Sequence, residues 1–421
     1  MNNNTSQPIP GFREVPKTGV IYVMSEARKH GFGSGDPDWS NLGQGSPETG
    51  PIPGAPPRVE TIEIAPGDHN YSDIEGQIEL RKKIADFYNT TYRKGKASQY
   101  TYENVSISGG GRTALTRVAT ALGNINVGHF LPDYTAYEEL LSVFRAFIPI
   151  PILLNRDAGY KISVEDLRKE ILGRGLQAVL LSNPCNPTGQ VIRGDYLKDW
   201  VKLARDTNFT LILDEFYSHF IYDHDSDKEC QMLSGAEFVE DVNTDPLVIL
   251  NGLTKNWRYP GWRISWTLGP KTVIDVIASA GSFLDGGANN PFQKQTIPLL
   301  EPDYVLQEAK AIQKHFSRKK KYMAKRLAAM HIDIEPELGG TFYFWANLAR
   351  LPGPLRDGLR FFQEGLEEKV ITVPGVFFDV NPDRRRSQRR YETYSRISFG
   401  AEMEKLEIGL NALERVIAKF S

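Results

Sequence analysis

The sequence predicts an α/β fold with a mostly parallel central sheet, and two observations support this. Between about residues 74 and 330, short apolar runs alternate with amphipathic stretches of helix length, and polar or glycine-rich motifs follow several of the runs. Such runs are typical of strands buried on both faces, so we expect helices on both sides of the sheet. The runs are Val105–Ser108, Ala178–Ser182, Leu211–Leu213 and Leu247–Leu250.

The length of 421 residues is enough for two or three domains. Patterning predicts a helix at about 20–30, an ordered Gly- and Pro-rich loop at 43–57, a long charged helix at 303–330 and a last helix at 402–420. We expect a mobile N-terminal arm (1–15), an N-terminal segment that joins the small domain (16–50), a large domain (51–315) and a small C-terminal α/β domain (316–421).

Composition points to an ordinary globular protein of a reducing compartment. Hydrophobic residues make up 40% of the chain and charged residues 24%, and the net charge of -2 favours neither nucleic acid nor an anionic membrane as a partner. The chain has two cysteines, Cys185 and Cys230, and this number does not indicate a framework of disulfide bonds. The first residues lack the pattern of a signal peptide, so we expect a cytoplasmic protein, and we assign no metal ligands.

Four motifs fall at the ends of predicted strands, where ligands bind in parallel sheets. Lys255 follows the apolar run 247–250. Asp214 follows the run 211–213, and burying its carboxylate there is costly unless a cationic group lies close to it. After the run 178–182, two X-Pro bonds make a rigid turn, and either bond could be cis. After the run 105–108, three glycines precede a predicted helix. The motifs are ISGGGRTAL (107–115), SNPCNPTG (182–189), LILDEFY (211–217) and NGLTKNWRYPGWRIS (251–265).

In order and spacing these motifs resemble the aminotransferase class I/II family, which has the pyridoxal 5'-phosphate (PLP) fold type I. Two further segments, 42–48 (LGQGSPE) and 394–400 (YSRISFG), resemble it too, and the resemblance covers about 20 to 415. It implies PLP as the cofactor, a large domain with a mostly parallel sheet and a smaller α/β domain. It also implies an amino acid and a 2-oxo acid as substrates, and a homodimer with active sites shared across the interface.

The resemblance assigns cofactor roles by position. Lys255 would hold the PLP aldehyde as an imine (a Schiff base), and Asp214 would stabilise the protonated pyridine nitrogen. The remaining cofactor residues would be Asn186 and Tyr217 at the ring hydroxyl, Tyr134 on the ring face, Gly110, Gly111, Arg112 and Arg263 at the phosphate, and Tyr71 at the partner subunit's phosphate. Many family members have a hydroxyl three residues before the lysine, where this chain has Gly252.

Substrate roles follow in the same way. Arg396 would bind the substrate carboxylate with its planar fork, helped by the backbone N–H of Gly45 and by Asn186. Residues 280–293 resemble the loop that the partner subunit contributes in this family. Asp285 falls there where dicarboxylate-specific members have an arginine, so we predict a donor with a cationic, arginine-like side chain; a solvated loop aspartate is the alternative. Glu26, near the segment that covers the site in this family, is a weaker second acid.

The predicted reaction is transamination in a ping-pong cycle, with Lys255, Asp214 and Tyr217 as the catalytic residues. An alternative keeps the same site but eliminates or cyclises an arginine derivative, as in capreomycidine-synthase-like enzymes. A sensor domain of a transcription regulator is disfavoured, because the resemblance begins near residue 20. The basic loop 384–390 (RRRSQRR) is read as a solvated insertion before Arg396.

Overall fold

A computed structural model describes residues 19–33, 35–144, 146–222, 229–334 and 338–421, so the predicted arm at 1–15 lies outside the described residues. The strands are β1 Ser40–Asn41, β2 Val105–Ser108, β3 Asn126–Leu131, β4 Ile148–Leu153, β5 Leu176–Ser182, β6 Thr210–Asp214, β7 Leu247–Gly252, β8 Ser265–Leu268, β9 Asp333–Ile334, β10 Tyr343–Asn347, β11 Val370–Ile371, β12 Val373–Pro374 and β13 Tyr394–Ser398.

The α-helices follow the same chain order. They are α1 Gly19–Lys29, α2 Ile78–Tyr92, α3 Gly111–Ala121, α4 Ala136–Val143, α5 Val164–Arg174, α6 Gly194–Thr207, α7 Leu253–Asn256, α8 Lys271–Leu284, α9 Asn290–Thr296, α10 Pro302–Ala329, α11 Gly358–Glu367 and α12 Met403–Ala418. The helices predicted at 20–30, 303–330 and 402–420 are therefore α1, α10 and α12. Among these described helices, none has the length and apolar character needed to span a membrane.

The central sheet has seven strands in the order β2-β8-β7-β6-β5-β3-β4. All neighbours from β7 to β4 pair in parallel, and only β8 runs antiparallel to β2 and β7. This confirms the predicted α/β class with a mostly parallel sheet.

Side chains of the central strands alternate between two apolar cores, as the period of two in a strand requires. Ile212 of β6 packs into the core that contains residues of α3, α4 and α10. Leu211 and Leu213 pack into the core that contains residues of α2, α5 and α6. Because both faces are covered, β6 is apolar along its buried length and places its only carboxylate, Asp214, at its carboxyl end.

A second sheet has the order β12-β13-β10-β9, and α11 and α12 pack beside it. The N-terminal segment joins this part of the chain, because Ser40 and Asn41 of β1 pair in parallel with Val370 and Ile371 of β11. This pairing agrees with the predicted N-terminal contribution to the small domain. The domain boundaries at 50 and 315 themselves remain a prediction.

A buried arginine fixes the end of α8. Arg117 of α3 is fully buried and forms a two-point ion pair with Asp285, in which Nε lies 2.8 Å from Oδ2. The same guanidinium donates to the carbonyls of Ile74 and Ile107. Asp285 is thus the charge partner of a buried guanidinium that joins α3 to the segment after α8.

We predict that Asp285→Asn lowers the free energy of unfolding by about 2 kcal/mol, because removing one partner leaves a buried, uncompensated charge. Urea denaturation followed by circular dichroism measures the change. Asp275→Asn, at an exposed position of α8, is the matched control and should change stability by less than about 0.5 kcal/mol. Equal stability of the two variants would contradict the role of this ion pair.

Candidate active site

A cavity of about 640 Å³ opens at the carboxyl ends of β5, β6 and β7, which is where sheets of this kind bind ligands. It brings together most of the residues selected from the sequence. Among the residues that line it are Gly45, Gly111, Arg112, Tyr134, Asn186, Asp214, Tyr217, Lys255, Arg263 and Arg396.

Lys255 lies in the single turn of α7, directly after β7. Its Nζ donates a hydrogen bond to the carbonyl oxygen of Gly45. Burial, together with the positive charges of Arg396, Arg263 and Arg112, lowers the pKa of Lys255 to about 7, while Asp214 opposes the shift. The amine is therefore largely neutral, and so nucleophilic, at a pH slightly above 7.

Asp214, the last residue of β6, has a buried carboxylate. Burial raises the pKa of Asp214 to about 6, although a hydrogen bond from Tyr137 opposes the shift. The Tyr137 hydroxyl donates to Oδ2 at 2.9 Å. Sequence reasoning missed Tyr137; the available signal was its position three residues after Tyr134, at the start of α4, where i and i+3 share a face.

The glycine loop before α3 is packed directly against Arg263. Gly110 has φ 101°, and a Cβ on it would collide with the Arg263 guanidinium. Gly111 begins α3, and a Cβ there would lie 2.6 Å from the ring of Phe216. The helix start offers free backbone N–H groups, and Arg263 offers a planar cation beside them. This combination suits a phosphate group.

Arg396 of β13 is held rigidly in the cavity wall. Its Nη1 donates to Oδ1 of Asn186 and its Nη2 to the carbonyl oxygen of Gly43, both at 2.9 Å. Its guanidinium carbon lies 4.0 Å from the ring centroid of Tyr343. Nε is buried and has no hydrogen-bond partner within the described part of the chain. The guanidinium is therefore oriented by two acceptors, and with five N–H groups it keeps further donors that a bound anion can use.

Two hydroxyls complete the inner wall. Those of Tyr217 and Tyr343 lie 2.9 Å apart and share a hydrogen bond, and burial raises the pKa of Tyr217 well above its ordinary value. Sequence reasoning missed Tyr343, which lies at the start of β10 and has no motif of its own in the printed sequence. Tyr134 also lines the cavity, and its ring meets the ring of Tyr137 edge-on at 5.5 Å.

Four residues selected from the sequence are not among those that line the cavity of their own chain, and one of them is Gly110, which packs against Arg263. Tyr71 is 96% exposed, and Glu26 pairs with Lys29 on the surface of α1. Asp285 was predicted to receive a substrate side chain or to be solvated, but its carboxylate is bound to the buried Arg117. Because that ion pair orients Asp285 toward α3, the acid does not reach the cavity of its own chain.

The outer part of the cavity has an apolar wall that the sequence did not reveal. Its residues come from the start of α1, from α3 and from α4 with the residue that follows it, and α1 is distant in sequence from the other two helices. They are Val20, Ile21, Leu115, Leu140, Val143 and Phe144.

Gly252 occupies the position where many family members have a hydroxyl. A Cβ on this residue would lie 2.6 Å from the Cα of Ser265 on the neighbouring strand β8. The close approach of β8 therefore leaves no room for a serine or threonine side chain. The phosphate contact that such a residue makes elsewhere is missing at this position.

Comparison with known proteins agrees with this geometry. The family model of aminotransferase class I and II matches residues 37–413. The chain belongs to this family. The family is PLP-dependent, and the chain is a PLP-dependent transaminase.

Relatives and solved structures extend the match over most of the chain. It is 27% identical to an aspartate aminotransferase of Thermotoga maritima, covering 90% of this chain and 91% of that one. It is 23% identical to a probable aspartate/prephenate aminotransferase of Aquifex aeolicus, with 92% and 90% covered. The Thermus thermophilus aspartate aminotransferase with maleate has a TM-score of 0.77 at 22% identity, with 96% and 100% covered. This likeness confirms the fold.

We predict that in the cofactor-free protein the amine of Lys255 reacts with trinitrobenzenesulfonate with a pH midpoint near 7, because burial and nearby guanidinium groups favour its neutral form. Peptide mass spectrometry over a pH series measures the labelling. Other lysines in the same digest serve as internal controls, since an ordinary lysine has a pKa of about 10.4. Labelling of Lys255 that rises only above about pH 9 would contradict the prediction.

Proposed function

We propose that this aminotransferase holds PLP at Lys255 and transfers the amino group of an L-amino acid to a 2-oxo acid. The observation that carries the proposal is the buried amine of Lys255, whose pKa is lowered to about 7, in one cavity with a buried acid and a glycine–arginine cradle. When bound, PLP supplies an electron sink that makes the Cα proton of an attached amino acid more acidic.

The residues present fit PLP group by group. The carboxylate of Asp214 would hold the ring nitrogen, and Arg263 with the start of α3 would hold the phosphate. Asn186 and Tyr217 would hold the ring hydroxyl, and Tyr134 would pack on the ring. Tyr137 would keep the Asp214 carboxylate in place through its 2.9 Å hydrogen bond.

The α-carboxylate of the donor would bind Arg396. Its buried Nε without a described partner supports this role, as does the rigid placement by Asn186 and Gly43. The amine of Lys255 would then take the Cα proton on its Nζ and return it, which needs a base that is neutral near pH 7.

For the donor side chain we propose an acidic group. Arg112 is an exposed cation at the start of α3 and lines the cavity, and several relatives are aspartate aminotransferases. The arginine-like donor predicted from the sequence is the alternative; it rests on Asp285, whose carboxylate pairs with Arg117 in its own chain. Glu139 also lines the cavity, so a basic donor remains the hypothesis against which the acidic one is tested.

We also propose a homodimer, as in the family. Support comes from exposed apolar side chains on the segment before α2 and on α8, which are costly to leave in water. Tyr71 is 96% exposed, Phe283 72% and Val276 53%. Light scattering of the purified protein measures the assembly. The cytoplasmic location remains a prediction.

The deciding experiment mixes the purified enzyme with single amino acids in the absence of a 2-oxo acid. The panel includes aspartate, glutamate, alanine, phenylalanine, arginine and hydroxylated arginines. Stoichiometric conversion of the cofactor spectrum to that of its amine form, with release of a 2-oxo acid, supports transamination. Catalytic product formation with loss of water or ammonia, and no such conversion, would instead support the eliminating or cyclising alternative.

We predict that Arg112→Met raises the KM for aspartate about tenfold or more, which corresponds to about 1.4 kcal/mol, and leaves the KM for alanine within about twofold. Glu139→Gln, a change in another charged residue of the same cavity, should spare aspartate. Single-turnover kinetics with each donor measures both effects. If Glu139→Gln instead removes activity with arginine while Arg112→Met leaves aspartate unaffected, the acidic donor is wrong.

A further inference from the structure

Two buried arginines connect the turn that carries Lys255 to the loop that precedes the large sheet. Arg258 lies three residues after Lys255, and its Nη1 donates to the backbone carbonyls of Gly50 at 2.6 Å and Glu48 at 3.2 Å. Arg58 lies at the other end of that loop, and its side chain extends from the loop toward the turn that carries Lys255. Its Nη1 and Nη2 donate to the backbone carbonyls of Trp257 at 3.0 Å and of Arg258 at 2.8 Å.

One carboxylate lies between the two guanidinium groups. Glu308 of α10 accepts from Nε of Arg258 at 2.7 Å, and its Oε1 lies 3.6 Å from Nη1 of Arg58. The side chain of Arg258 is 0% exposed, that of Glu308 1% and that of Arg58 10%. Arg58 also stacks on the ring of Tyr259, with its guanidinium carbon 3.5 Å from the ring centroid. We call Arg58, Arg258 and Glu308 the arginine clasp.

The loop held by this clasp contacts two residues of the cavity. The carbonyl oxygen of Gly45 accepts from Nζ of Lys255, and that of Gly43 accepts from Nη2 of Arg396 at 2.9 Å. The loop has no helix or strand between β1 and Pro66, so its backbone groups need partners from elsewhere. Two of its carbonyls, those of Glu48 and Gly50, find their donors on Arg258.

The other side of the loop is attached to α10 and to the last strand. The carboxylate of Glu48 meets His315 and lies 2.9 Å from Nζ of Lys319. The backbone N–H of Glu48 donates to the carbonyl of Gly400 at 2.7 Å. Glu48 is therefore fixed from both sides, and a shift of the Lys255 turn relative to it would move Gly45 and Gly43 as well.

We propose that the arginine clasp is a positioning device that sets the distance between the Lys255 amine and the loop 43–50, and with it the substrate carboxylate site. Arg58 and Arg258 are positioning residues and not catalytic ones, because they do not line the cavity. Buried ion pairs add little to stability compared with apolar packing, but they fix one arrangement. The proposal rests on the proposed role of Lys255 and Arg396 in binding.

The test compares Arg258→Met and Arg58→Met with Arg93→Met in the cofactor-loaded enzyme. Arg93 is a matched control, because it is also fully buried and also donates to loop carbonyls, those of Ser98, Ala236 and Val239. Those carbonyls belong to segments other than the loop 43–50. Hydrogen–deuterium exchange of the peptides that cover 43–50, together with kcat and KM for the amino donor, are the readouts.

We expect both clasp variants to speed hydrogen exchange at 43–50 and to raise the KM for the donor about tenfold. A factor of this size corresponds to the free energy of about one charge-assisted hydrogen bond. The change in kcat should stay within a few fold. Arg93→Met should leave exchange at 43–50 and the KM unchanged while lowering overall stability. Clasp variants that behave like Arg93→Met would overturn the proposal.

Arg58→Met keeps the proposal testable if Arg258→Met does not fold, since Glu308 then retains Arg258 as its partner. Compared with Arg258→Met, Arg258→Lys should recover part of the protection from exchange. The ammonium of a lysine can reach one of the acceptors of Arg258 but not all of them, which are the carbonyls of Glu48 and Gly50 and the carboxylate of Glu308. Failure of the proposed role of Lys255 would be recognised separately. In that case borohydride reduction would not attach the cofactor to the Lys255 peptide, whereas the exchange result would stand.

Discussion

Lys255, Arg112, Arg263 and Arg396 bring four basic groups to one cavity, with Asp214 as a buried acid close to Lys255. Like charges at short range in a region of low dielectric repel each other, and the ionisable amine is the group that can respond by losing its proton. Together with burial, which is the larger cause, this repulsion explains why the pKa of Lys255 falls to about 7. The basic groups outnumber the acids of the cavity, Asp214 and Glu139, so the site favours the negative charge that a phosphate and a substrate carboxylate would supply.

The fold makes this concentration of charge possible. Parallel strands end at the same edge of the sheet, so Ser182, Asp214 and the residues after Gly252 emerge side by side. Arg396 comes from the second sheet and Arg112 from the helix after β2. The site is therefore assembled from segments nearly 300 residues apart in the chain, and each segment alone holds only one or two of its charges.

Buried arginines repeatedly donate hydrogen bonds to the backbone carbonyls of other segments. Arg117 binds the carbonyls of Ile74 and Ile107, and Arg93 binds those of Ala236 and Val239. The clasp does the same for the loop beside Lys255. A loop cannot pair its own carbonyls as a helix or strand does, and a guanidinium offers five donors in a rigid plane. The cofactor lysine thus depends on contacts that lie outside its own motif.

The α/β class, the family and the strand-end positions of Lys255 and Asp214 follow from the amino-acid sequence alone, because alternation and motif spacing are local properties. The sequence did not predict Tyr137, Tyr343 or the apolar wall, since these join the cavity only through packing between distant elements. Asp285 shows what the fold adds: its position in the chain suggested a substrate contact across the subunit interface, and the structure also gives its carboxylate Arg117 as a partner within the chain. Only the tertiary structure decides which charge a buried carboxylate meets, because charge pairing depends on distance in space and not along the chain.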